Sequence, residues 1–170
     1  NTLKIASGEL TNAPFMLKHA KTNKKIILST GMATFEEIEK ILGVFAFGFI
    51  NKKENLPSLQ SFQNAYNSSS GIEALRRKLI LMHCTTEYPT PYKAINLNLI
   101  DSLRDKFGLE VGFSDHSDSV IVPSLAVIKQ ATVIEKHLTL DTSMKGPDHK
   151  ASLNPEQFKT MVDNIRIAEL

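Results

Sequence analysis

The sequence predicts an α/β fold in which parallel β-strands alternate with helices. Two observations lead to this class. Short β-prone runs recur along the chain with helical patterns between them, and runs such as Leu79-Ile80-Leu81-Met82 are apolar at consecutive positions, as in a parallel sheet covered on both faces. The composition agrees, because 42% of the 170 residues are apolar and 22% are charged, which is ordinary for a globular domain.

Five runs are predicted as strands and four patterns as helices. The strands are Leu3 to Ala6, Ile26 to Ser29, Leu79 to Cys84, Glu110 to Ser114 and Thr132 to His137. Thr34 and Glu37 have the spacing of a capping box before an apolar stripe, which predicts a helix from there. Asn154 followed by Pro155 predicts the start of the last helix. Two further helices are expected over residues 96–107 and 118–130.

One stretch interrupts this alternation. Residues 48–74 are predicted as a polar surface insertion, because the part from Asn51 to Gly71 is polar and contains Pro57. We expect one short helix within it.

The number of units suggests a barrel. The chain starts two residues before a strand and stops within a helical pattern. A (β/α)₈ barrel needs roughly 250 residues, so five of its eight units take about 156. The chain therefore fits the later part of such a barrel. An open doubly wound sheet fits the same pattern, and the pattern does not choose between the two.

Charge and cysteine usage limit the partners. The net charge is +2, and no apolar run approaches the ~18 residues of a membrane span. A single cysteine, Cys84, excludes an internal disulfide, fits a reducing cytoplasm and is expected to be a small buried thiol. We therefore expect a cytoplasmic protein with neither nucleic acid nor membrane as a partner.

Polar side chains cluster where each predicted strand ends. In both candidate folds the functional site lies at the carboxyl ends of the strands. These positions are Ser7-Gly8-Glu9, Ser29-Thr30-Gly31, His83 to Tyr88, Ser114 to Ser117 and Glu135 to Thr139. A purely structural sheet would close these ends with Gly, Asn and Pro, so we expect a reaction or binding site there.

Two histidines at matching strand ends suggest a metal. His116 and His137 are 21 residues apart, and on successive parallel strands their imidazoles can converge on one ion. The alternative is that each is a histidine hydrogen-bonded inside the core. The matching positions favour a divalent-metal or catalytic role. Without thiolates, two histidines leave coordination positions open for water or substrate.

Other strand-end groups suit an anionic substrate. Lys4 and Ser7 beside accessible N–H groups are suited to bind a phosphate or carboxylate, although Lys4 alone also reads as an ordinary surface lysine. Glu9, Glu135 and Asp148 are candidate acids, bases or sugar-hydroxyl acceptors, and each alone also reads as a solvated charge.

Taken together, six blocks of the sequence resemble the sialic acid synthase family. One block would be weak evidence, but the six follow the family's order and span nearly the whole chain apart from Gly43 to Arg77. They are KIASGELTN (4–12), ILSTGMAT (27–34), HCTTEYPTPY (83–92), GFSDHS (112–117), IEKHLTLD (134–141) and GPDHKASLNPEQF (146–158).

The resemblance implies a partial TIM barrel made of the later five strand–helix units of a (β/α)₈ barrel. It further implies condensation of phosphoenolpyruvate with an N-acyl-hexosamine, such as N-acetylmannosamine or a bacterial relative. The product is a nine-carbon 2-keto sugar acid, and phosphate is released. The implied cofactor is a divalent metal ion, Mn²⁺ first with Mg²⁺ or Co²⁺ as alternatives, and the full-length enzyme is expected to be a homodimer.

Roles follow by position from the same resemblance. His116 and His137 resemble the metal ligands. Lys4, Ser7, Ser114 and, in part, Thr86 resemble positions that hold phosphoenolpyruvate, and Glu9, Tyr88 and Asp148 resemble positions that contact the acyl-sugar. The expected catalytic residues are Lys4, which stabilises charge on the phosphate, His116, which holds the metal, and Glu9, which shuttles a proton.

Three departures from the family pattern shape the expectation. The family's first three strands and its small C-terminal domain are absent, and Thr86 stands where some members have Asn. We therefore expect this segment to be inactive alone. Two rival hypotheses remain open: another metal-dependent aldolase or hydrolase on a similar barrel, and a non-catalytic fragment that binds sugar phosphates or a partner protein.

Overall fold

The structure, a computed structural model, describes residues 1–51 and 56–170. The β-strands are β1 (Thr2–Ile5), β2 (Lys25–Ser29), β3 (Leu79–Cys84), β4 (Glu110–Asp115) and β5 (Ile134–Lys136). The α-helices are α1 (Ala13–Lys21), α2 (Phe35–Ile50), α3 (Leu59–Asn67), α4 (Ser69–Lys78), α5 (Asn98–Phe107), α6 (Val122–Ile128) and α7 (Pro155–Ala168). The sheet order β1-β2-β3-β4-β5 is also the chain order. The predicted α/β class with alternating strands and helices is confirmed.

The strands lie where the apolar runs predict them. β3 has the predicted bounds, and all of its residues are buried, as expected for a consecutive apolar run in a covered sheet. β4 extends one residue further than predicted, to Asp115, and β5 occupies only the middle of its predicted run.

Side-chain caps set the starts of two helices. Thr34 Oγ1 accepts from the Glu37 backbone N–H at 3.2 Å, and Glu37 Oε2 accepts from the Thr34 N–H at 2.8 Å. Asn154 makes the corresponding capping box with Gln157 at the start of α7. Both predicted starts are confirmed. In the described ranges, no helix has both the length and the apolar content needed to cross a membrane.

Helix α6 is shorter than the predicted helix over residues 118–130. Ser119 Oγ accepts hydrogen bonds from the backbone N–H groups of Ile121 and Val122, at 3.0 and 3.1 Å. These N–H groups are satisfied in a turn instead of a helix, so α6 begins only at Val122.

The stretch 48–74 contains more regular structure than the sequence predicts. Its described part holds the end of α2, all of α3 and the first part of α4, so the prediction of one short helix is wrong. Ser68 caps α4, because its Oγ accepts from the Gly71 N–H at 3.0 Å. The serine-rich run is therefore a helix start. The prediction for residues 52–55 lies outside the described residues.

One compact unit comprises Asn1–Leu81 with Phe107–Leu109. In it β1 and β2 pair in parallel, with Ile5 opposite Leu28. Helix α2 packs against α1, α3 and α4. Gly48 permits a close approach to α1, because a Cβ at that position would lie 2.4 Å from the Cβ of Ala20.

A second compact unit comprises Met82–Lys106 and Glu110–Leu170. In it β4 pairs in parallel with β5, and α6 packs against α7. Buried side chains of Leu153, Met161 and Ile165 form a core cluster beside these elements. This unit carries both histidines of the predicted metal pair.

Candidate active site

The parallel pairing of β4 and β5 brings His116 and His137 together. The register places Asp115 opposite Lys136, an offset of 21 residues. One residue further, the same offset relates His116 to His137, just past the ends of the strands. The centroids of their rings are 5.5 Å apart, and the ring planes are at 85° to each other. The two imidazoles are therefore neighbours, while their role as metal ligands stays a prediction.

The backbone holds His116 in one tautomer. Its Nδ1 lies 2.6 Å from the carbonyl oxygen of Thr85, which can only accept a hydrogen bond. Nδ1 therefore carries the proton, and Nε2 of the neutral ring carries a lone pair. Burial lowers the pKa of His116 below its ordinary value; the bond to Thr85 opposes this shift, and His137 adds to it. The neutral form, which is the form that ligates metals, is favoured at neutral pH.

Ser114 connects His116 to a carboxylate. The Ser114 hydroxyl donates to Glu135 Oε1 at 2.7 Å, and its oxygen lies 3.2 Å from Nε2 of His116. The hydroxyl has one proton and two neighbouring acceptors, Glu135 and the unprotonated Nε2 of His116, so Ser114 links the imidazole to the carboxylate.

The loop after β3 places Tyr88 against both imidazoles. Its ring stacks on His116 with centroids 4.1 Å apart at 26°, and it meets His137 edge-on at 5.7 Å. Burial raises the pKa of the Tyr88 phenol, and nearby acidic groups add to the shift, so the phenol stays protonated. The Thr90 N–H anchors the loop by donating to the His116 carbonyl at 2.9 Å. Thr86 is exposed in the same loop.

The segment after β5 fixes His137. The Leu153 N–H donates to the carbonyl of His137 at 3.0 Å, and Leu138 and Leu153 form a parallel bridge. Oδ2 of Asp148 lies 3.9 Å from Nδ1 of His137, and the Asp148 side chain is 53% exposed. Asp148 therefore offers a carboxylate at the solvent side of this imidazole.

The two imidazoles have a geometry that fits a shared divalent ion. A metal-bound imidazole nitrogen lies about 2 Å from the ion, so two rings on one ion have centres roughly 4.5–6 Å apart. The observed 5.5 Å falls in this range. The described residues contain no group of three or more His, Cys, Asp and Glu side chains able to hold an ion. An ion held by this pair would take one nitrogen from each imidazole and leave positions open for water or substrate.

A buried ion pair lies one residue before the histidines. Lys136 Nζ is 2.6 Å from Asp115 Oδ2, and the two side chains are 0% and 1% exposed. The sequence analysis assigned neither residue a role. The 21-residue spacing that relates the two histidines also relates these two residues, and it could have identified the pair.

Three predicted site residues lie in the first unit: Lys4 within β1, and Ser7 and Glu9 just after it. Lys4 is exposed, and its Nζ donates to the Ile5 carbonyl at 3.3 Å. Ser7 and Glu9 belong to a 3₁₀ turn, and Glu9 Oε2 accepts from Asn12 Nδ2 at 2.9 Å. Their roles stay predictions.

Another histidine, His83 on β3, is a structural residue. Its Nε2 lies 2.6 Å from the Ile95 carbonyl, and its ring centroid lies 5.5 Å from that of Phe113. The neighbouring Cys84 is a buried thiol and not part of a disulfide, as predicted. Burial lowers the pKa of His83, and the bond to Ile95 opposes this shift.

The depressed pKa of His83 makes stability depend on pH. As the pH falls, the unfolded chain, with an ordinary pKa of about 6.5, takes up a proton before the folded chain does. We expect the free energy of unfolding to decrease between pH 7 and pH 5, and to decrease less in His83→Gln, whose amide keeps a donor for Ile95. Urea unfolding at both pH values measures this difference. Equal decreases in the two proteins would contradict the expectation.

Comparisons with known proteins identify the family to which this α/β chain belongs. The family model described as the NeuB family matches residues 1–170, and the chain belongs to that family. It is 46% identical over 163 residues to the N,N'-diacetyllegionaminic acid synthase of Campylobacter jejuni, covering 96% of this chain and 42% of that protein. It is 41% identical to a pseudaminic acid synthase of the same species, covering 98% of this chain and 41% of that protein.

A solved structure supports the fold. The N-acetylneuraminic acid (sialic acid) synthetase of Leptospira borgpetersenii superimposes with a TM-score of 0.75 at 30% identity, covering 99% of this chain and 50% of that one. The chain thus spans half or less of the length of these relatives. The predicted resemblance to sialic acid synthases and the predicted fold class are confirmed.

Proposed function

We propose that this chain acts as the later part of a sugar-acid synthase that condenses phosphoenolpyruvate with an N-acyl-hexosamine. The names of its relatives support a synthase of sialic-acid-type sugars. The observation that carries the proposal is the imidazole pair at the strand ends, with ring centroids 5.5 Å apart. The products would be a nine-carbon 2-keto sugar acid and phosphate.

His116 and His137 would hold a divalent ion, with Mn²⁺ as the first choice and Mg²⁺ or Co²⁺ as alternatives. Such an ion, when bound, acts as a Lewis acid toward a carbonyl oxygen such as the sugar aldehyde. The Thr85 carbonyl keeps the proton on Nδ1 of His116, which leaves Nε2 as the ligating atom. The Tyr88 ring contacts both imidazoles and limits their movement. Its phenol stays protonated and would donate a hydrogen bond to the sugar.

Carboxylates and hydroxyls around the pair would orient substrates. Asp148 is half exposed and within 3.9 Å of His137, so it can accept a hydrogen bond from a sugar hydroxyl. Ser114 would donate to a phosphoenolpyruvate oxygen by turning its hydroxyl away from Glu135, which accepts its proton in the structure. Thr86, exposed in the loop, is a candidate contact that helps to choose the acyl-sugar.

Lys4, Ser7 and Glu9 would complete the chemistry. The Lys4 ammonium and the Ser7 hydroxyl suit a phosphate group, and charge placed there stabilises phosphate as it leaves. Glu9 would transfer a proton to or from the sugar oxygen or the attacking water. We propose further that the segment is inactive alone and works in a longer polypeptide, since the relatives are about twice its length or more. The homodimer is proposed from the family resemblance alone.

Phosphate release by the full-length protein tests this function. The protein is freed of metal with a chelator and then assayed with and without Mn²⁺, phosphoenolpyruvate, N-acetylmannosamine and a diacetamido-hexose. We expect phosphate only when metal, phosphoenolpyruvate and one amino-sugar are all present, together with a 2-keto sugar acid product.

Each other outcome contradicts the proposal in a different way. Turnover of a sugar without phosphoenolpyruvate would indicate an aldolase or hydrolase. No turnover with any sugar, together with no binding of Mn²⁺ or phosphoenolpyruvate, would indicate a non-catalytic protein.

A further inference from the structure

The buried ion pair Asp115–Lys136 lies next to both histidines in sequence: Asp115 precedes His116, and Lys136 precedes His137. Asp115 Oδ1 accepts from the Ser117 backbone N–H at 2.9 Å, and Lys136 Nζ donates to the Ser117 carbonyl oxygen. The residues before and after His116 are therefore both tied to the same ammonium and carboxylate. Lys136 is also the residue before His137, so one ion pair connects the residues on both sides of His116 with the residue before His137.

The pair lies on the face of the strands opposite the imidazoles. Successive side chains of a strand point to opposite faces. Ser114 and His116 share one face, as their 3.2 Å contact shows, so Asp115 points to the other. Asp115 and Lys136 thus cannot touch a ligand held by the histidines, and any effect they have on it passes through the backbone.

Burying two charges here contributes little net stability, so the pair needs another reason to be present. Desolvation of a buried ion pair offsets much of its attraction, and well-packed apolar residues are often as stable. Several such pairs are retained because they specify one arrangement among competing ones. Here the competing arrangements are shifts in strand register and other turns at residues 116–117, and each would move His116 relative to His137.

We propose that the Asp115–Lys136 ion pair is a positioning device that aims His116 and His137 at one metal ion. This inference depends on the metal site of the proposed function. The ammonium and carboxylate hold the turn at Ser117 and the 21-residue register together, which would keep the two imidazoles side by side with ring centroids 5.5 Å apart.

Mn²⁺ binding by the full-length protein without substrates is the test, measured from the electron paramagnetic resonance signal of free Mn²⁺. Lys136→Met keeps the length of the side chain and removes its charge. We expect it to weaken Mn²⁺ binding by roughly 10- to 100-fold, as for other residues that orient metal ligands. The matched control is Lys129→Met, which breaks the partly exposed pair with Asp101 (2.8 Å) and should leave Mn²⁺ affinity unchanged.

A double variant separates positioning from stability. Asp115→Asn with Lys136→Met leaves no unpaired buried charge, so its resistance to urea should recover relative to Lys136→Met. Because the link to the Ser117 carbonyl stays broken, its Mn²⁺ affinity should stay low. The double variant also carries the test if Lys136→Met alone does not fold.

Three outcomes decide the inference. Wild-type affinity in folded Lys136→Met, or affinity that recovers together with stability in the double variant, would overturn the positioning role and leave the metal site standing. Absence of Mn²⁺ binding by the wild-type protein would overturn the metal site itself and this inference with it.

Discussion

The single variants His116→Ala and His137→Ala should each lose roughly 100-fold or more of the metal-dependent turnover of the full-length protein. In the proposed site, each substitution removes one of the two imidazole nitrogens that would hold the ion. Phosphate release at saturating phosphoenolpyruvate and sugar measures the effect, and Mn²⁺ titration measures the accompanying loss of affinity.

The fold should survive both histidine substitutions. His116 and His137 lie past the ends of β4 and β5, outside the paired residues of the two strands. The circular dichroism spectra of both variants should therefore remain close to wild type. His19→Ala is the matched control, because the His19 ring bonds to the Phe15 carbonyl of its own helix, α1. Wild-type rates in either His116→Ala or His137→Ala would remove the metal assignment.

Much of the fold was predictable because local signals and tertiary environment agree. β3 is apolar at nearly every position and is buried along its length, so its bounds follow from hydropathy alone. The starts of α2 and α7 follow from side chains that cap the backbone within four residues. Such features depend on near neighbours in sequence, which a single chain displays directly.

Other elements were missed because their signals are weak or ambiguous. Helix α1 buries only Met16 and Ala20, so its apolar stripe is short and the sequence analysis assigned no helix there. The run Ser68 to Gly71 has the composition of a loop, but the bond from the Gly71 N–H to Ser68 Oγ caps it as a helix start.

The candidate site was predictable where it depends on strand ends. His116 and His137 follow β-prone runs, and parallel strands bring their carboxyl ends to one edge. The Asp115–Lys136 pair and the Thr85 carbonyl were not predicted. The first depends on the register between β4 and β5, and the second is a backbone group, which carries no side-chain signature in the sequence.

Replacing Gly112 by alanine should destabilise the sheet beneath the imidazole pair. A Cβ at this position of β4 would lie 2.6 Å from the carbonyl oxygen of Val133. That same oxygen accepts from the Phe113 N–H at 2.8 Å, so the clash cannot be relieved without lengthening this hydrogen bond. Overpacking of this kind costs about 1–3 kcal/mol of the free energy of unfolding, measurable by urea titration.

Gly8→Ala is the matched control for stability, because a Cβ there has no atom within 4 Å and should change the free energy of unfolding by less than about 0.5 kcal/mol. Gly112→Ala should also weaken Mn²⁺ binding, since β4 and β5 must separate only a few residues before His116. A Gly112→Ala protein as stable as Gly8→Ala would show that the two strands have room to adjust. Loss of stability with wild-type Mn²⁺ affinity would show that the imidazole pair is set by its own loops and not by the spacing of the strands.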